Sequence, residues 1–303
     1  MSVERSAKPA TLMRRAAMFA VATATTLILT KGVIWWWSDS VALLGSLLDS
    51  ILDALASLIN LVAVRQATTP ADKEHRFGHG KAEALAGLGQ AVLILFSALF
   101  VTFEAVRHLL NPRAIEHSSL VMGVMILATI LTLLLIAYQR YVVRRSGSLA
   151  IRADSLHYIG DTAINLGVLI AVALSAGLGW LLADPLIALA IAGVIFWSAW
   201  GIARQSFDQL MDRELDDSER QKIKDIALAH GQVLGIHDLR TRRSGLHRFV
   251  QFHIELPPEM PLREAHRISD EVEANVKAEF ADTQVLIHQD PAGIEEAHGF
   301  EHA

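Results

Sequence analysis

The sequence predicts a membrane-embedded all-α bundle of six transmembrane helices, followed by a small α+β domain. Three observations predict it. Six long apolar runs fill residues 1 to about 210, each near or above the ~20 helical residues that cross a hydrocarbon core. Hydrophobic residues make up 52% of the 303 positions and mean hydropathy is +0.35, too apolar for an ordinary soluble chain. Beyond residue 210 the apolar runs stop, and alternating short segments of a soluble domain take over.

The spans are drawn at about 14–37, 41–64, 82–110, 118–142, 149–178 and 184–208, after a short N-terminal segment, 1–13. The first apolar run, Ala16 to Trp37, is full length, so it is expected to be a retained span, not a cleaved signal. Basic residues set the orientation. Arg5, Lys8, Arg14 and Arg15 precede the first span; Arg65, Lys73, Arg76 and Lys81 follow the second; Arg140, Arg144, Arg145 and Arg152 follow the fourth. The opposite loops carry only Arg107 and Arg113, so both termini are expected in the cytoplasm. Trp35, Trp36, Trp37 and Trp180 fall at outer span ends, where an aromatic belt belongs. Lys31, within two turns of the outer end of its span, is expected to snorkel.

In the soluble part, 211–291, Asp216 and Glu219 suggest a capping box opening a helix that stops at Gly231. Strands are expected at about Ile236–Arg242 and Arg248–Leu256, joined by a Ser244-Gly245 turn. The second alternates, with Val250, Phe252 and Ile254 on one face and Gln251, His253 and Glu255 on the other. Pro261 opens a second helix to about Phe280, and Gln284–Gln289 makes a third strand. The order α-β-β-α-β implies helices on one face of a sheet. The tail, 292–303, has no pattern and is expected to be disordered, so His298 and His302 carry no weight.

The second span holds two acids, Asp49 and Asp53, and the fifth holds His157 and Asp161, each pair at i and i+4 on one helix face. A charge at that depth costs about 2.5–3.5 kcal/mol on insertion scales, so each acid needs a partner. Structural polar residues in membrane helices are usually Ser, Thr or Asn, as Asn60 and Asn165 are expected to be here. Three carboxylates and an imidazole facing one another make a four-ligand cage for a divalent metal. With no cysteine in the chain, disulfides and thiolate ligands are excluded.

Two further clusters invite the same question. The loop QATTPADKEHRFGHGK offers Asp72, His75 and His79, either as a metal site at the membrane surface or as a solvated polar turn. The soluble domain offers His237, His253, His266, His288 and Asp290, with His288 and Asp290 two apart on one strand face. Spacing leaves a binuclear metal site there open.

Other chemistries find little support. A net charge of −5 without a basic cluster gives no reason to expect nucleic acid. No G-x-x-x-x-G-K-[ST] occurs, so there is no nucleotide-binding P-loop, and no H-E-x-x-H of a zinc metalloprotease. An aspartyl protease dyad of Asp49 and Asp161 leaves Asp53 and His157 unexplained. No enzymatic activity is therefore expected.

Several separated motifs then converge: L-L-D-S-I-L-D-A, P-A-D-K-E-H-R-F-G-H-G-K-A-E, H-Y-I-G-D, I-H-D-L-R-T-R and I-H-Q-D-P. Together they resemble the cation diffusion facilitator family in its bacterial zinc and ferrous-iron efflux branch. The likeness spans all but the first dozen residues and the tail. It implies that Asp49, Asp53, His157 and Asp161 form the transport site, that Asp72, His75 and His79 form a loop site, and that His237, His253, His266, His288 and Asp290 form a cytoplasmic binuclear site bridged by Asp290. It also implies that Lys81 and Asp212 form a charged pair near the hinge, and that the soluble domain is ferredoxin-like, as in metallochaperones. Finally, it implies a homodimer in the bacterial inner membrane that exports Zn²⁺, Cd²⁺ or Fe²⁺, with Mn²⁺ also possible by ligand type, in exchange for protons. A membrane-anchored metal sensor without transport is the alternative.

Overall fold

The structure is a computed structural model that describes residues 2–38, 41–110, 119–178, 180 and 182–293. Arg113 and the expected disordered tail from 294 onward, with His298 and His302, lie outside the described residues. The chain divides into two compact units, one from Ala7 to Leu210 and one from Met211 onward.

The first unit is built from six helices: α1 (Ser2–Ser38), α2 (Val41–Ala67), α3 (Lys81–Leu110), α4 (Ser119–Ser146), α5 (Leu149–Leu178) and α6 (Ala183–Leu210). Among the described residues five of them, all but α5, are long and apolar enough to cross a membrane. The helix α5 matches α3 in length and in average apolarity, and part of its apolar C-terminal half lies outside the described side chains. The unit is turned inside out relative to a water-soluble bundle. On α2, Leu48, Leu52, Leu55, Ile59 and Val62 face outward, whereas Ser50, Ser57 and Asn60 are buried. A lipid solvent rewards that arrangement, since polar groups there must find partners within the bundle.

Small residues let the helices approach. A side chain at Gly87 of α3 would meet Ser206 of α6, with the first added carbon 2.8 Å from its hydroxyl. At Gly167 of α5 it would meet Ile191 and Ile187 of α6 at 2.8 and 2.9 Å. These contacts hold α5, the helix that carries His157 and Asp161, against its neighbour. The N-terminus of α5 is capped twice: Ser148 Oγ accepts the Ile151 N–H, and the buried Glu83 carboxylate of α3 accepts the Ala150 N–H.

The second unit runs α7 (Asp217–Leu228), β1 (Gly235–Ser244), β2 (His247–Leu256), α8 (Leu262–Glu279) and β3 (Thr283–Pro291). The strands lie in the order β1-β2-β3, the first pair antiparallel and the second parallel. A parallel neighbour needs a crossover, and α8 supplies it. Ile268, Val272 and Val276 of α8 close over Val250, Phe252 and Ile254 of β2 to form the core. The turn between β1 and β2 uses Gly245 at φ +58°, a left-handed conformation that suits glycine. The expected capping box does not form: Asp216 makes no side-chain cap, because Glu219 instead pairs with Arg248 and Arg243.

Gly167→Leu is expected to force α5 and α6 apart at a cost of about 1–3 kcal/mol. A lowered melting temperature of the purified protein in detergent checks it, and an unchanged one refutes the tight contact.

Candidate metal centres

In the helical unit, α2 and α5 are registered by a buried contact, Ser57 Oγ to the Tyr158 hydroxyl at 2.9 Å. One turn along each helix this brings the acids to the imidazole. His157 Nε2 lies 2.9 Å from Asp53 Oδ1 and 3.6 Å from Asp161 Oδ2. Asp53, His157 and Asp161 each offer a ligand atom within 4.8 Å of the others. Asp49, one turn earlier on α2, is exposed and does not join this group.

Lys31 does not snorkel outward. Its Nζ donates to Ser46 O at 3.1 Å and to Ser50 Oγ at 2.7 Å, both on α2. The acids at 49, 53 and 161 attract it inward, a force that spacing from the span end does not reveal.

The loop after α2 folds around Asp72. Its Oδ1 accepts the N–H of His75 at 2.6 Å and of Glu74 at 2.9 Å. These backbone bonds, the His75 bond foremost, hold the exposed carboxyl below the usual carboxylate range. The folded-state shift is downward, so the stability it adds is present at neutral pH and is lost only as acid titrates Asp72. Asp72 Oδ2 lies 3.3 Å from His79 Nε2, Asp72 Oδ1 lies 3.4 Å from His75 Nδ1, and the two rings stand 4.5 Å apart. The three form a second compact group.

In the sheet, strand register does the gathering. His237 of β1 sits opposite His253 of β2, which sits beside His288 of β3, so three imidazoles line up across three strands. Asp290, buried and two residues further along β3, lies beneath them. Its Oδ2 is 2.8 Å from His253 Nδ1 and 3.1 Å from His237 Nε2, and its Oδ1 is 3.1 Å from His288 Nε2. His237, His253 and Asp290 form the compact group, and the more exposed His288 borders it. His266 does not join them; it stands exposed on α8 within 3.6 Å of Asp270. Glu255, which sequence reasoning did not select, lies 3.3 Å from His237 Nδ1. The alternation of β2 put it on the His253 face, which is the signal that pointed to it.

The donor sets are imidazole and carboxylate throughout, suited to a first-row divalent ion. In the helical group Asp161 Oδ2 is buried and makes no hydrogen bond among the described residues. A buried polar atom left in that condition is costly, and a bound cation would satisfy it.

Comparison with known proteins identifies the family. The family profile described as cation efflux transmembrane domain matches residues 17–211, and that of the cation efflux protein cytoplasmic domain matches 215–292. The chain is 46% identical over 282 residues to the cation-efflux pump FieF of Yersinia pestis (strain Pestoides F), covering 93% of this chain and 94% of that one. It is 44% identical over 283 residues to the pump of the same name from Salmonella paratyphi A, with the same coverage. A solved structure of the transporter CzrB in its zinc form is 34% identical over 28% of this chain and 98% of its own, with a TM-score of 0.27. With both profiles matched in order and FieF pumps similar along nearly its full length, the chain belongs to the cation diffusion facilitator family and is a FieF-type cation efflux transporter of the membrane.

Proposed function

We propose that the chain is a proton-coupled antiporter that exports a divalent metal cation, Zn²⁺ first and Fe²⁺ or Cd²⁺ next, by alternating access in a homodimer. The observation that carries this reading is the cluster of Asp53, His157 and Asp161 within two helices of membrane type. The cluster completes its set with Asp49 when an ion draws that carboxylate in. One nitrogen and three oxygens suit a four-coordinate Zn²⁺ and fit poorly the six or more oxygens that Mg²⁺ and Ca²⁺ take. Mn²⁺ has ligand preferences close enough to compete.

Coupling to protons follows from the ligands. Imidazole and carboxylate bind metal only when deprotonated, so metal and protons compete for the same atoms. Facing the cytoplasm, the cage loads an ion; facing a more acidic outer side, it takes protons and releases the ion. No nucleotide is needed. The membrane potential adds about 2.3 kcal/mol per net charge moved per 100 mV.

We assign the transmembrane domain to 14–210, the cytoplasmic metal-binding domain to 211–291, and both termini to the cytoplasmic side of the bacterial inner membrane. The Asp72–His75–His79 loop and the sheet cluster of His237, His253, His288 and Asp290 are metal sites that stabilise and sense. An ion tying three strands together favours one geometry of the domain, and so biases the dimer.

A sensor without transport is the second reading, and the sheet cluster favours it because it is complete within the soluble unit. Vesicles reconstituted with the chain decide between the two. Under an imposed pH gradient they are expected to exchange Zn²⁺ for protons, and Asp53→Ala is expected to abolish that flux; metal binding without any flux would establish the sensor.

The sheet cluster is expected to separate from transport. His253→Ala removes the middle imidazole, and titration calorimetry should show the loss of the corresponding Zn²⁺ sites while vesicles still exchange Zn²⁺, more slowly. Complete loss of flux would place the cluster on the transport path.

A further inference from the structure

Asp154 is a buried acid that none of the three metal groups uses. It lies on α5 three residues before His157 and is fully buried. Its contacts go to neighbouring helices, not to the cage. Oδ1 accepts from Gln90 Nε2 of α3 at 3.0 Å, and Oδ2 accepts from Gln139 Nε2 of α4 at 2.6 Å. Both glutamines are themselves buried. Asn60 of α2 faces the same carboxyl. On the side of α6, Ile202 packs against the adjacent Ala153. The titratable groups that face Asp154 are His157 and Tyr158 of α5, and the Tyr158 hydroxyl is engaged by Ser57 of α2.

A carboxylate removed from water is costly unless its charge is compensated. The amides around Asp154 supply hydrogen bonds and no positive charge. The nearest source of positive charge is the cage, one helical turn or about 4.5 Å along α5. At that separation, out of water, a divalent ion in the cage acts strongly on the acid.

The pocket also accommodates the neutral acid. A glutamine can present either its amide hydrogens or its carbonyl to a carboxyl group. Gln139 Oε1 is buried and makes no hydrogen bond among the described residues. Turning that amide over places Oε1 opposite Asp154 Oδ2, where a protonated carboxyl donates to it. The same three side chains therefore hold the ionised form, accepting from two amides, or the neutral form, accepting from Gln90 and donating to Gln139.

We propose that Asp154 is a proton-binding site of the transport cycle, separate from the metal cage. It takes up a proton at Oδ2 when Asp53, His157 and Asp161 hold no ion and releases it when a divalent cation occupies them. The inference deepens the proton-coupled reading above and rests on it: part of the proton cargo is carried one turn away from the metal ligands.

The test uses full-length protein in vesicles loaded with reporters of pH and of Zn²⁺, so that protons moved per Zn²⁺ ion are read directly. In Asp154→Asn the new amide keeps both contacts once Gln139 turns over, so the variant is expected to fold and to move Zn²⁺. It is expected to carry roughly one proton fewer per ion than the wild type. An unaltered ratio in a wild type that does exchange protons overturns the role of Asp154 alone. A wild type that moves Zn²⁺ with no protons overturns the exchange mechanism and this site together. A second measurement stands if Asp154→Asn fails to fold. The infrared difference spectrum between Zn²⁺-bound and metal-free protein is expected to show a protonated-carboxyl band lost on binding and displaced in Asp154→Glu. A spectrum unaffected by Asp154→Glu overturns the proposal.

Discussion

The 2.9 Å contact between Asp53 of α2 and His157 of α5 joins two helices across an apolar bundle, and the arrangement around it follows from the cost of charge without water. Several polar groups in the bundle find partners on neighbouring helices. Ser57 meets Tyr158, Lys31 meets the Ser46 carbonyl and Ser50, and Glu83 meets the exposed N–H groups of α5. The partners come from different helices, so the polar contacts also fix how the helices are turned. A cluster of ionisable groups in such a bundle is thus both costly to the fold and tied to the rotation of its neighbours. Under the proposed exchange of an ion for protons, the forces between the same helices would change with the occupant.

The loop after α2 and the sheet answer the same demand at lower cost, since water reaches both. Around Asp72 the backbone supplies two N–H bonds and orients the carboxylate. In the sheet, pairing brings His237, His253 and His288 into line, so preorganisation is a property of the ladder and not of the side chains. Preorganised ligands lose less freedom on binding, which raises affinity without any new contact.

Much of this was legible in the sequence, for identifiable reasons. Apolar runs of bilayer length give the helices directly, and acids at i and i+4 within such runs point to a cation because few other uses justify them. The alternation of β2 gives the face that carries His253, and with it Glu255. What was hidden depends on partners from distant helices. The inward course of Lys31 needs the acids at 49, 53 and 161, and the pocket around Asp154 needs amides from α3 and α4, 64 and 15 residues away in sequence. The separation of Asp49 from the other three members of its predicted cage has a similar origin: spacing shows which residues share a helix face, not which of them a neighbouring helix will meet. The capping box failed for the converse reason, since Glu219 found arginines on two strands that local sequence does not reveal.

The parallel pairing of β3 with β2 has a consequence for how the cell's metal meets the growing chain. Asp290, the carboxylate beneath the three imidazoles, belongs to the strand synthesised last, and it is positioned only after α8 has crossed the sheet. Until the ribosome has delivered that strand, His237 and His253 stand on a two-stranded ribbon beside Glu255 and without Asp290. The side chains proposed above as a metal site therefore come together only when β3 pairs with β2, once the domain has been synthesised.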